Sequence, residues 1–208
     1  MKRIYFVRHG RTGGNEQGLW QTFEQPLSDY GREQAAKVSK RFTNIKVGMI
    51  IASDMDRAFE TAQIISADIG LEVIPTKLLH EIHRPEDVRG KPKTDEETIK
   101  IMNEVEKNWG NKDWKHLDEE NFYDLSERVK KALDELLSLP ADTIVAVTHE
   151  YVLRMVFAVI FFGEQLTPDL FKVVVKRLWA ENTGISEFTY DDGKWRMLTW
   201  NDHSHLLD

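Results

Sequence analysis

Three short apolar runs, each ending abruptly in polar, chemistry-bearing residues, constrain the fold of this chain more than any other feature. Ile4-Tyr5-Phe6-Val7 runs into Arg8-His9-Gly10. Val47–Ala52 ends in Ser53-Asp54, with Arg57 one helical turn on, and the β-branched run Thr143–Val147 ends in Thr148-His149. Runs of this length bounded by turn residues read as strands buried on both faces, the pattern of a parallel sheet covered by helices. In an open α/β sheet the carboxyl ends of the strands converge on one edge, where ligands bind. The spacing therefore predicts that two His and two Arg, spread from position 8 to position 149, meet around one anion, for which phosphate is the best fit.

The rest of the chain reads as elements that serve such a sheet. A glycine-rich loop spans Gly10–Gly18, and Ser28 is a candidate N-cap for a helix that places Ala35, Val38 and Phe42 on one face. Ser53-Asp54-Met55-Asp56 resembles a capping box with Asp in place of Glu, and Gly70 closes the helix that follows. A short strand, Glu72–Ile74, is expected to stop at Pro75. Residues 84–120 are charged, hold two of the six prolines, and show a helix start at Thr94 with Glu97. A helix over Phe122–Leu139 returns the chain to the core, Gly163 ends another, and Thr167-Pro168 begins a third. Asp192-Gly193 joins Gly184–Tyr190 to Lys194–Trp200 as a hairpin. The expectation is one domain over residues 1–208, a three-layer α/β/α fold with a mostly parallel central sheet and an antiparallel edge hairpin. Residues 84–120 form a partly helical insertion, or cap, over the crevice.

Composition narrows the function. Hydrophobic residues at 41% and charged residues at 30% are globular values. The longest apolar stretch, Tyr151–Phe162, is interrupted by Arg154 and is too short to span a bilayer. The absence of cysteine excludes disulfides and thiolate catalysis. A net charge of −7 argues against nucleic acid and anionic membranes as partners, so a phosphate site must be a local positive pocket in a negative surround. Met1-Lys2-Arg3 leads straight into the first strand without a secretory pattern, which makes a cytoplasmic protein the expectation. Oligomeric state is left open.

Phosphoryl transfer needs a nucleophile, donors around the phosphate oxygens, and a proton source for the leaving oxygen. His9 is the candidate nucleophile, because a neutral imidazole attacks through one nitrogen while the other N–H fixes the ring. Neighbours on a strand point opposite ways, so Arg8 reaches the same phosphate only if the backbone bends at Gly10. Arg8 and Arg57 offer planar forks of donors matched to phosphate, and His149 adds a third donor. Weaker features are also present. His80-x-x-His83 has the look of a metal pair but no further ligand cluster, so no metal or cofactor is expected. Arg84, Arg89, Lys91 and Lys93 form a basic run that either meets a second anionic group of the substrate or is solvated. His203 and His205 either order over the crevice or fray. Trp109 and Trp114 are expected to pack the insertion onto the body.

The motifs also resemble those of a known family. Arg8-His9-Gly10-Arg11-Thr12 with Asn15 is similar to the Arg-His-Gly-x-Thr-x-x-Asn signature of the histidine phosphatase superfamily, also called phosphoglycerate mutase-like. Pro26–Ala35, Ser53–Ala62 and Thr148-His149 resemble its later blocks in the same order. The resemblance implies that His9 becomes the phosphohistidine, that Arg8, Arg57 and His149 form the phosphate pocket, and that Asn15 and Thr12 are auxiliary phosphate contacts. It implies Glu81 as the acid that protonates the leaving oxygen, with Glu86 and Glu150 as nearby carboxylates that could substitute. Arg84 and Glu150 are expected to touch substrate; Glu150 stands where the family often has glycine. Residues 16–25 lack the combined Trp and Gly-x-x-Asp pattern of mutases, since Trp20 stands there without the Gly-x-x-Asp, and the segment after Glu81 also departs from theirs. The implied activity is a metal-independent phosphomonoester hydrolase acting on a small phosphorylated metabolite or a phosphoprotein. A phosphoglycerate mutase-type isomerase and a non-catalytic phospho-ligand binding module are the alternatives.

Overall fold

In a computed structural model the described residues, 1–207, form a six-stranded sheet covered by helices on both faces. The strands are β1 (Lys2–Arg8), β2 (Met49–Ser53), β3 (Val73–Thr76), β4 (Thr143–Thr148), β5 (Ile185–Asp191) and β6 (Lys194–Asp202), in the order β3-β2-β4-β1-β5-β6. The first four are mutually parallel, and β5 and β6 complete the sheet as an antiparallel edge. The helices are α1 (Gly13–Gln17), α2 (Asp29–Lys40), α3 (Asp56–Ile69), α4 (Glu96–Asn108), α5 (Phe122–Ser138), α6 (Glu150–Phe162) and α7 (Pro168–Arg177).

Strand alternation builds two cores from the same residues. Ile4, Phe6, Ile144 and Ala146 face the core under α5, α6 and α7, while Tyr5, Val7, Val145 and Val147 face the one under α2 and α3. Burial on both faces explains why β1 and β4 read as unbroken apolar runs. The registers then set the site. Arg8 pairs with Thr148 and Ala52 with Val147, so the strand ends bearing His9, Ser53 and His149 lie side by side. Among the described residues no helix is long and apolar enough to cross a membrane.

The local signals hold at most helix ends. Ser28 caps α2 by accepting from Gly31 N, Thr167 caps α7 ahead of Pro168, and Asp192-Gly193 turns the hairpin with φ of 49° and 74°, as its tight loop requires. Residues 84–120 carry α4, and Trp109 is buried with Trp114 packed beside it. Four expectations need correction, the first being the loop Gly10–Gly18, of which Gly13–Gln17 is the helix α1 capped by Thr12. Met55, not Ser53, is the N-cap of α3 and makes no side-chain cap, and the Ser53 hydroxyl bonds across the site to His149. Asp95, not Thr94, caps α4. Pro75 lies inside β3, which tolerates it because β3 is an edge strand.

One close contact fixes the loop after β1. A Cβ on Gly31 would stand 1.9 Å from the Arg11 carbonyl oxygen, so the first turn of α2 seats on that loop only with glycine. Gly31→Ala is expected to cost about 1–3 kcal/mol of stability, the range for forced overpacking. Thermal denaturation checks it; an unchanged Tm contradicts the close seat.

Candidate active site

A cavity of about 240 Å³ opens at the carboxyl edge of the sheet, lined by Arg8, His9, Asn15, Arg57, Glu81 and Glu150 among others. His9 sits one residue past β1, 2% exposed, and Arg8 lines the same cavity, so the chain does bend between them. The bend is tied down on three sides. Thr183 N donates to the Arg8 carbonyl at 2.9 Å, Asn182 Nδ2 to the His9 carbonyl at 2.8 Å, and Gly10 N to Thr61 Oγ1 at 3.0 Å.

The His9 ring has a defined tautomer. Its Nδ1 lies 2.7 Å from the Gly10 carbonyl, which only accepts, so Nδ1 carries the proton and Nε2 keeps the lone pair. Burial first, then the positive charges of Arg57 and Arg8, hold the His9 pKa well below its ordinary value. The ring is therefore neutral and nucleophilic at physiological pH.

Arg57, in the first turn of α3, is 2% exposed, and its pKa is lowered by burial to about 10, still fully charged near neutrality. Its Nη1 donates to the Thr22 carbonyl at 2.8 Å. Arg8 donates to the Ala180 carbonyl at 2.5 Å and lies 3.3 Å from Glu150, which also pairs with Arg154 at 2.6 Å. The Nε atoms of Arg8 and Arg57 and Nδ1 of His149 are buried with no hydrogen-bond partner among the described residues. Buried polar atoms are ordinarily satisfied, and unpaired donors on Arg8 and Arg57, which line the cavity, suit the oxygens of an anion.

His149 does not line the cavity. It is fully buried beneath His9, with ring centroids 5.0 Å apart, and Nε2 lies 2.9 Å from Ser53 Oγ. Burial leads the depression of its pKa, followed by Arg57. Thr12 also stays off the wall. It caps α1, and its backbone N–H and hydroxyl hold Asn15 Oδ1 at 3.2 and 3.1 Å, which leaves the Asn15 amide nitrogen to donate.

Glu81 is held by α6 and the neighbouring backbone: Ile82 N donates to Oε1 at 2.9 Å and Tyr151 N to Oε2 at 3.4 Å. Sequence reasoning missed what fastens its loop. Arg128 of α5 donates to the Leu78 and His80 carbonyls while gripping both Glu120 oxygens at 2.6 Å, and Thr148 Oγ1 donates to the Leu79 carbonyl. It also missed Asn182 and the stretch Trp20–Phe23, which lines the cavity. None of these shows periodicity or a motif that marks it.

The weaker candidates separate. His80 is engaged by Asp54, while His83 faces the cavity, and no cluster of three or more potential metal ligands occurs among the described residues. Arg84, Arg89 and Lys93 line the cavity; Arg89 pairs with Asp118, and Lys91 turns away to Glu97. His203 and His205 are ordered away from the cavity wall, with His205 bonded to Thr183 Oγ1 and its pKa lowered to about 4, chiefly by burial.

His9, His149 and His205 all titrate lower folded than unfolded. The unfolded chain therefore binds more protons below the ordinary His pKa of about 6.5. Stability is fully present above that pH and is lost as pH falls toward 4. Tm measured from pH 7 to 4.5 should fall progressively, with proton uptake on unfolding; a Tm flat across that range contradicts the neutral burial of these rings.

Comparison with known proteins agrees with this geometry. The histidine phosphatase superfamily (branch 1) profile matches residues 4–203. A probable phosphoglycerate mutase GpmB of Escherichia fergusonii is 30% identical over 219 residues, covering 99% of this chain and 95% of the relative. Phosphoglycerate mutase-like protein 4 of Arabidopsis thaliana is 35% identical over 212 residues, covering 98% and 86%. Among solved structures, Bacillus stearothermophilus YhfR superposes with a TM-score of 0.83 at 24% identity, covering 99% of this chain and 100% of that one. A mycobacterial glucosyl-3-phosphoglycerate phosphatase superposes with a TM-score of 0.78 at 23% identity, covering 97% and 99%. At these identities the structural likeness establishes the fold.

Proposed function

The chain belongs to the histidine phosphatase superfamily, and from that premise we propose that it hydrolyses phosphomonoesters through a phosphohistidine at His9. The observation that carries this reading is the His9 ring, neutral, with its lone pair on Nε2, in a cavity shared with two buried guanidinium groups. Nε2 attacks phosphorus and the bond to the ester oxygen breaks. Glu81 gives its proton to that oxygen, and the alcohol leaves. Glu81 then takes a proton from water, whose oxygen attacks the phosphohistidine, releasing phosphate and restoring the imidazole.

Arg8 and Arg57 hold the phosphoryl oxygens throughout, with the Asn15 amide as an auxiliary donor that Thr12 orients. Ser53 assigns the role of His149. Its oxygen accepts from Met55 N at 3.3 Å and lies 2.9 Å from His149 Nε2; with the serine proton given to Nε2, the proton of that ring sits on the unpaired Nδ1 for a phosphoryl oxygen. Arg84 and Glu150 face the organic part of a small phosphorylated substrate. None of these steps draws on a metal or organic cofactor.

The names of the curated relatives favour a second reading, transfer of phosphate between hydroxyls of a phosphoglycerate. One assay separates the two. Incubated with an aryl phosphate and, in parallel, with 3-phosphoglycerate in excess EDTA, the enzyme should release inorganic phosphate without forming 2-phosphoglycerate. Isomerised product without net phosphate release replaces hydrolysis with mutase chemistry. Tight phosphate binding with no turnover across a broad panel of phosphoesters reduces the protein to a binding module.

A further inference from the structure

A second cavity, of about 290 Å³, adjoins the first, and Trp20, Arg84 and Tyr151 line both. Its other walls differ from the phosphate end. Val105, Trp109 and Phe171 are buried there, joined by Met102 and Val175, while the exposed residues Asn103, Glu106 and Lys176 rim it. Phe171 lies 5.4 Å from the Trp109 ring and 6.2 Å from Tyr151, so the aromatic wall runs from the depth of this chamber to the shared partition.

Arg84 marks where the chambers meet. Its guanidinium lies 4.4 Å over the Tyr151 ring and 5.2 Å from the Trp20 ring, a position held by both aromatic faces. The partition is braced from behind, because Trp20 N donates to the Lys91 carbonyl and Gly90 N to the Trp20 carbonyl, zipping the two loops together. Metabolite sites typically occupy about 300–1,000 Å³ and are mostly apolar with a few placed polar groups. The phosphate chamber alone falls below that range and is the more polar of the two. The two chambers together fall within it and have the expected character.

We infer that the second chamber receives the organic end of the substrate, an aromatic or similarly flat apolar ring joined to the phosphate by a short flexible spacer. The inference rests on the phosphomonoesterase reading and specifies its substrate class. A spacer is required because Arg84 stands between the two ends; a ring bonded directly to the phosphate oxygen stays on the polar side.

The test compares 4-phenylbutyl phosphate with butyl phosphate, which share phosphate and spacer and differ by the ring. The expected result is a kcat/KM at least about tenfold higher for the phenyl ester, from burial of one ring. Val175→Trp, which fills the chamber from α7, should bring that ratio to about one, and Met102→Trp from α4 should do the same. A ratio of two esters on one preparation does not depend on how much of it has folded. Equal values in the unaltered enzyme, or a ratio unmoved by both substitutions, overturn the inference. Binding of 4-phenylbutylphosphonate and butylphosphonate, followed by calorimetry, decides it without turnover. If neither ester is hydrolysed but the phenyl phosphonate binds at least about tenfold tighter and V175W removes the difference, the chamber stands and the hydrolytic reading falls. Equal phosphonate affinities overturn the chamber whatever the turnover.

Discussion

His9→Ala is expected to reduce turnover of an aryl phosphate by at least about 10⁴-fold, the scale of loss when a covalent nucleophile is removed. The second imidazole, His149, cannot take its place, because Ser53 engages its Nε2 and its Nδ1 carries the proton. Anion binding should survive, since Arg8 and Arg57 remain. The experiment therefore pairs steady-state kinetics with vanadate affinity measured by calorimetry. Lost turnover with retained binding is the expected signature, and turnover within tenfold of the unaltered enzyme removes His9 from the chemistry.

Arg57→Ala is expected to cost about 10³–10⁵ in kcat, the range for an arginine that stabilises a phosphoryl-transfer transition state. It should also change the pH profile. Burial contributes most to keeping His9 unprotonated, and Arg57 is the larger of the two charges that add to it. Without Arg57 the His9 pKa rises toward its ordinary value, so the acid limb of the residual activity moves to higher pH. Arg57→Lys keeps the charge but loses the planar fork and should leave the acid limb near its original place while still lowering kcat. An acid limb unmoved in the alanine variant, or moved to lower pH, contradicts the electrostatic coupling.

Much of this architecture was legible because a parallel strand covered on both faces must be apolar at every position. β1 and β4 announce themselves in that way, and the polar residues at their ends stand out by contrast. Once the strands are parallel neighbours, the meeting of His9 and His149 follows from register. The hairpin and the caps of α2 and α7 were equally readable, because turn and cap geometry is set by one or two residues.

What escaped the sequence depends on tertiary partners. Ser53 has the composition of a cap but spends its hydroxyl on His149, across 96 positions of chain. Arg128 looks like an ordinary helix charge, yet it fastens the loop that carries Glu81. Thr12 carried the right side chain for phosphate contact, but it is spent on capping α1 and holding Asn15. Pro75 broke the expected strand only on paper, since the outer edge of β3 asks for no partner there.

The central claim is a covalent bond between phosphorus and Nε2 of His9. Rapid quenching of the enzyme with a ³²P-labelled phosphomonoester, followed by peptide mapping, tests it most directly. The account predicts acid-labile, alkali-stable label on the peptide containing His9, formed and lost at rates compatible with turnover. Phosphate release at full rate with no label on His9, or with label on another residue, would contradict it.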